Sequence, residues 1–214
     1  MPTVVLDLDG PILDGCHRHY ACYADILSEN GYAAIKLNEY WEMKRRRVDR
    51  RAQLAASGAE CLYDVFLQKW IERIETEPYL ALDLLQIGAM EKLTEWKDQG
   101  VQLVLATQRH NAKSLLRQLA EFRLAPLFEH VVACDHAEGG GGKARRVQEV
   151  LHKCGANRLL WVGDTEVDVE AARKLGCPIW TVSCGLRSEA YLLSLAPDFI
   201  SGSLMEVELG EVPG

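Results

Sequence analysis

The chain has 214 residues, 48% hydrophobic and 26% charged, with a formal net charge of -7, which suits one well-buried domain with a smaller insert or two modest domains. The acidic balance gives no electrostatic footing for nucleic acid, and no run approaches the roughly eighteen apolar residues of a membrane helix. The start, Met1-Pro2-Thr3-Val4, lacks the basic and apolar regions of a signal peptide, so the expected location is the cytoplasm.

In chain order, residues 3–8 read as a fully buried strand, a short apolar run bounded by a turn-forming glycine. Residues 16–82 follow as a helical insert. Within it "HYACYADILSENGY" and "YDVFLQKWIERIE" carry apolar residues three and four apart, enough for each to pack one face on a neighbour. Further apolar runs stand at 101–106, 130–134, 159–162 and 179–182, separated by segments of helical period such as Ile87, Met90, Leu93 and Trp96. Gly100, Gly155 and Gly176 each follow such a segment and mark helix stops.

Alternating strands and helices of this length predict an α/β fold, a Rossmann-like parallel sheet with helices on both faces and right-handed crossovers. The core is expected to comprise residues 1–15 and 83–214, with 16–82 as a small helical cap inserted after the first strand. Seven cysteines, an odd number with no C-x-x-C pair, fit scattered reduced thiols used in packing.

Ligands in such folds gather at the carboxyl ends of the strands. There the sequence places Asp7 and Asp9 after the first strand, Thr107 after the second, Lys143 after the third, and Asp164 and Asp168 after the fourth. Carboxylates so crowded repel one another, by about 1 kcal/mol per pair at 4 Å in water and about 4 at an effective dielectric of 20. A cation must compensate them, and Mg²⁺, which takes one or two carboxylates, a carbonyl and waters, is the natural candidate, with Asp7 and Asp164 as ligands. Asp168 lies one helical turn beyond Asp164 and can face the same edge. The same spacing also suits an N-capping Asp followed by a first-turn acid, which leaves Asp164 open to either reading.

Other motifs have plainer explanations. Asp14 suits a turn cap. "GGGGK" fails as a phosphate-binding P-loop because position 137 is Ala and Ala144 follows the lysine, so a flexible loop delivering Lys143 is expected. His17 and His19, two apart on a helix, face different directions and make no metal pair. "KRRRVDRR" reads as a solvated helix face that also offers a substrate-binding arginine, Arg47.

The motifs "DLDGPILD", "VLAT", "GGGGK" and "GDTEVD" together resemble those of the haloacid dehalogenase-like superfamily, whose phosphatases carry D-x-D-G-x-x-x-D, a strand-terminal Thr or Ser, a Lys, and G-D-x-x-x-D. The likeness covers nearly the whole chain in the right order. Its helical cap and "GDTEVDVEAA" make it most similar to the phosphoglycolate phosphatase-type enzymes. The resemblance implies a Mg²⁺-dependent phosphatase of small phosphorylated metabolites, monomeric or homodimeric. Asp7 would be the nucleophile that forms an aspartyl-phosphate and Asp9 the general acid and base. Thr107, Gln108 and Lys143 would contact the phosphoryl group, and Asp7, Asp9 (through its carbonyl), Asp164 and Asp168 would surround the metal. Arg109, next to the presumed phosphate, would read the substrate or cap the following helix.

Two positions depart from the family pattern. Pro11 stands where Thr commonly follows D-x-D-G, and Gln108 where Asn or a small residue follows the phosphate-binding Thr or Ser. Three rival readings share parts of the pattern. A haloacid dehalogenase has no need of Asp9. A phospho-accepting receiver has no cap. A binding protein that has lost turnover would keep only the fold.

Overall fold

The computed structural model describes residues 2–154 and 158–211. It divides into two units, Met1–Asp14 with Leu85–Gly214, and Gly15–Leu84. The chain begins with β1 (Pro2–Leu6) and leaves the first unit at β2 (Leu13–Asp14). It returns at β3 (Leu84–Leu85), which pairs with β2.

The first unit is built on β1, β4 (Gln102–Thr107), β5 (His130–Ala133), β6 (Arg158–Gly163), β7 (Ile179–Val182) and β8 (Phe199–Ser201). They form one six-stranded sheet in the order β5-β4-β1-β6-β7-β8, every neighbouring pair parallel. The two-residue period of a strand separates its side chains into two cores. Val4, Leu6, Leu103, Leu105, Leu160 and Val162 face one side. Val5, Val104, Ala106 and Trp161 face the other. Both faces are apolar because both are covered. Helices α6 (Ala89–Asp98) and α7 (Ala112–Glu121) pack on the first through Leu93, Trp96, Leu115 and Leu119. Helices α8 (Gly139–Cys154) and α9 (Glu166–Leu175) pack on the second through Val147, Val169 and Ala172. A short helix, α10 (Glu189–Ser194), precedes β8.

The predicted strands are all present, whereas β8 has no counterpart in the sequence reading: Phe199 and Ile200 alone, between Asp198 and Ser201, make no apolar run. Two expectations are corrected. Ile87 does not belong to the helix of Met90, Leu93 and Trp96; Gly88, with φ 75°, begins α6 after it, and Ile87 is 94% exposed. The four glycines before Lys143 are not a flexible loop but the first turn of α8. Glycine is required there by close approach, since a Cβ on Gly140 would stand 2.6 Å from the Val167 carbonyl oxygen of α9. Of the predicted helix stops, Gly100 and Gly176 take positive φ, and Gly155 lies outside the described residues.

The second unit is helical: α1 (Cys16–Glu29), α2 (Leu37–Arg45), α3 (Arg50–Ala56), α4 (Tyr63–Arg73) and α5 (Glu77–Leu80). Its core is aromatic. Tyr23 stacks on Tyr40 at 4.4 Å between ring centroids and meets Phe66 edge-on. Arg18 and Asp83, both buried, pair at 2.7 Å. "KRRRVDRR" is not one helix face: α2 ends inside it, Lys44 is buried, Arg47 turns the chain at φ 61°, and Asp49 caps α3 by accepting from the Arg51 amide.

Candidate active site

The carboxyl ends of β1, β4 and β6 bring the predicted residues of the first unit together. Asp7 follows β1 directly, and its amide extends the ladder by donating to the Val162 carbonyl at 3.0 Å. Alternation past Leu6 turns its side chain toward the face covered by α8. There Lys143 Nζ donates to Asp7 Oδ1 and to Asp168 Oδ1, at 2.7 Å each. Lys143 is 1% exposed, so its charge is neutralised by these carboxylates rather than by water.

Asp168 occupies the third position of α9. The helix is capped by Thr165 in a reciprocal capping box with Asp168, so Asp164 is not its cap. Asp168 Oδ2 accepts from the Asp164 and Thr165 amides and the Thr165 hydroxyl, while Oδ1 accepts from Lys143 and from Trp161 Nε1 at 3.2 Å. The sequence reading missed Trp161, whose indole lies among the apolar residues of β6 and carries no polar signal of its own.

Asp164 is fully buried. It is wedged between Gly10 and Gly185, where a Cβ on either would stand 2.1 Å from its Oδ2. That oxygen accepts from the Leu186 amide. The other oxygen, Oδ1, has no hydrogen-bond partner among the described residues. Leu186 and Gly185 were also missed, because a backbone donor and a spacing requirement leave no residue-type signature.

Asp9 closes the tight turn after β1, in which the Gly10 amide donates to the Leu13 carbonyl at 2.8 Å with Pro11 at the bend. The Asp9 carboxylate is held in a two-point fork by Arg109, with Nε to Oδ2 at 2.6 Å and Nη2 to Oδ1 at 2.7 Å. Arg109 therefore contacts the second aspartate rather than capping α7, whose cap is Asn111. Thr107 ends β4 and is buried; next to it, Gln108 Nε2 is buried with no hydrogen-bond partner among the described residues. Arg47 is exposed and belongs to the other unit.

Burial sets the protonation of this cluster. It pushes Asp7 up to about 7 against the pull of Lys143, with Asp168 and Asp9 adding to the rise. Burial, then Asp7 and Asp168, also push Asp164 well above the usual carboxylate range, the Leu186 amide and Arg187 opposing. Burial lowers Lys143, but Asp168 and Asp7 outweigh it and hold the ammonium above its ordinary value. A cluster this costly to ionise is suited to one more positive charge.

The residues fit a divalent ion. Asp7, Asp164 and Asp168 each present a carboxylate oxygen within 4.8 Å of the others; both Asp168 oxygens already accept from protein donors, so Asp7 and the unsatisfied Asp164 Oδ1 are the acceptors such an ion would use. An all-oxygen donor set suits a hard cation.

A family model for haloacid dehalogenase-like hydrolases matches residues 1–176. The chain is 23% identical over 191 residues to a phosphoglycolate phosphatase of Rhodobacter capsulatus, covering 87% of this chain and 86% of the relative. It is 23% identical over 197 residues to one of Mesorhizobium japonicum, covering 86% and 83%. Among solved structures, a haloacid dehalogenase-like family hydrolase from Streptococcus pneumoniae superposes with a TM-score of 0.77 over 96% of each chain at 16% identity, a likeness of fold. With its strand-end acids, buried lysine and parallel sheet, the chain belongs to the haloacid dehalogenase-like hydrolases.

Proposed function

We propose that this phosphatase hydrolyses a small phosphorylated metabolite of the phosphoglycolate or sugar-phosphate class, with Asp7 as nucleophile and Mg²⁺ as cofactor. The observation that carries the reading is the buried constellation of Asp7 on Lys143 beside an Asp164 with one unsatisfied oxygen. Asp7, Asp164 and the Asp9 carbonyl would hold the ion. When bound, Mg²⁺ offsets the repulsion between a carboxylate and a phosphate dianion, which otherwise keeps the two apart.

Asp7 attacks phosphorus and the leaving oxygen departs, giving an aspartyl-phosphate. Asp9 delivers a proton to that oxygen and then takes one from the water that cleaves the acyl phosphate. The Arg109 fork sets its orientation, and proton transfer needs one of the two bonds to open. Lys143 neutralises charge on the phosphoryl group while Asp168, saturated by five donors, fixes the lysine rather than ligating the ion. Thr107 and the unpartnered Gln108 amide supply donors for phosphoryl oxygens. Choice of the leaving group is assigned to the helical unit, Arg47 included, and to Arg109.

Hydrolysis of phosphoglycolate, sugar phosphates and nucleotides with MgCl₂, and after EDTA, tests the reading. Turnover that requires Mg²⁺ and vanishes in Asp7→Asn is expected. Folded, metal-loaded protein that hydrolyses none of them, or that releases chloride from haloacids, would overturn it.

A further inference from the structure

The mechanism leaves unexplained why the loop between β7 and α10 is tied down so heavily. Its first residue, Ser183, donates to the Ser201 carbonyl at 2.9 Å. Gln86 Nε2 bridges the Cys184 carbonyl at 3.3 Å and the Gly10 carbonyl at 2.9 Å, joining this loop to the turn after β1. At its far end, Arg187 grips Glu166 of α9 with Nε to Oε2 at 2.8 Å and Nη2 to Oε1 at 2.9 Å, and its Nη1 donates to the Leu186 carbonyl at 3.2 Å. Between these anchors the Leu186 amide meets Asp164 Oδ2. Glu166 stands two residues after Asp164 and Arg187 one after Leu186, so the ion pair closes a short ring around the amide–carboxylate contact.

We propose that Arg187 and Glu166 are a positioning pair for the metal site: by holding the Leu186 amide on Asp164 Oδ2, they keep Oδ1 as the oxygen offered to a divalent cation. This rests on the Mg²⁺ reading above. The Leu186 amide fixes which Asp164 oxygen is committed to the protein and which is left open. Once the loop relaxes, the carboxylate is free to turn, and a cation must organise it at the cost of binding energy. The pair is only 13% and 25% exposed, so salt screens it less than a surface bridge. Groups that orient metal ligands typically change affinity about 10–100-fold when removed.

The test is calorimetric titration of MgCl₂ into the metal-free full chain, without substrate, for the parent, Asp164→Asn, Glu166→Gln, Arg187→Met, the Glu166→Gln/Arg187→Met double variant and Arg187→Lys. Asp164→Asn should abolish binding, while each single clamp variant weakens it about 10-fold, with the double variant no worse than the weaker single and Arg187→Lys recovering part of the loss. A bridge that only stabilised the fold would lower the melting temperature and leave Mg²⁺ affinity unchanged. Clamp variants within about two-fold of a parent whose binding Asp164→Asn removes would overturn the positioning role alone. A parent that binds no Mg²⁺, or an Asp164→Asn that binds as the parent does, would overturn the metal reading and the clamp with it. Should one substitution unfold the chain by circular dichroism, the other single variant and Arg187→Lys carry the same decision.

Discussion

The two units bury different things. At the strand ends of the first, Asp7, Lys143, Asp164 and Asp168 are packed out of water with their charges facing one another. In the second, Tyr23, Tyr40 and Phe66 pack into an aromatic core, the two tyrosines stacked and the phenylalanine edge-on. Burying rings stabilises a fold directly, whereas burying ions costs solvation that their mutual attraction recovers only in part. The second unit accepts that cost at Arg18 and Asp83, a matched pair, whereas the first crowds three carboxylates around one lysine, and so unbalanced a cluster marks where its chemistry lies.

Substitutions can break the contrast. Asp7→Asn keeps shape and hydrogen bonding but removes the nucleophile; phosphate release should fall at least ~10³-fold while the protein stays folded. A variant retaining a tenth of the parent rate, or about that, would locate the nucleophile elsewhere. Next in size are two losses of similar magnitude with opposite origins. Lys143→Met strands Asp7 and Asp168 without their shared cation and should cost about 3–5 kcal/mol in urea unfolding. Phe66→Ala opens a cavity among Tyr23 and Trp70 and should cost about 3–5 kcal/mol as well. Raised pH should deepen the first loss by ionising the stranded Asp7 and leave the second unchanged.

pH sharpens the comparison further. With Asp7 raised from an ordinary 3.8 to about 7, the folded state keeps a proton that the unfolded chain has already released between those values. Stability of the metal-free protein therefore falls as pH rises through that window, and Asp164 acts in the same direction. Urea unfolding at about pH 5 and about pH 7.5 measures the slope. Asp7→Asn should flatten it and saturating MgCl₂ should oppose it, because the ion favours the charged carboxylates. The smallest effect is expected at Gln108. Its buried Nε2 has no partner to lose among the described residues, so Gln108→Met should leave stability within about 1 kcal/mol. If the amide donates to phosphate, the same variant raises KM for the phosphorylated substrate several-fold; a clear loss of stability instead would assign Gln108 to packing.

Much of this was legible from residue order alone. Runs such as Val4–Val5–Leu6 and Leu103–Val104–Leu105 are apolar at every position because both sheet faces are covered, and that condition is written into composition. The acids and the lysine at the strand ends were equally visible, since chemistry of this kind needs those residue types. Pairings that depend on approach through space were not. Four glycines before a lysine look like a loop until α9 lies against them, and "KRRRVDRR" looks like one helix face until α2 ends within it. Arg109 on Asp9, Trp161 on Asp168, Leu186 on Asp164 and Arg187 on Glu166 join residues that local sequence gives no reason to pair. Sequence by itself determined which groups the site would contain and on which edge of the sheet, because periodicity and residue chemistry are local properties. Which oxygen of Asp164 is committed to an amide and which is left open was decided by tertiary packing alone, because a hydrogen bond's direction is set by where the rest of the chain comes to lie.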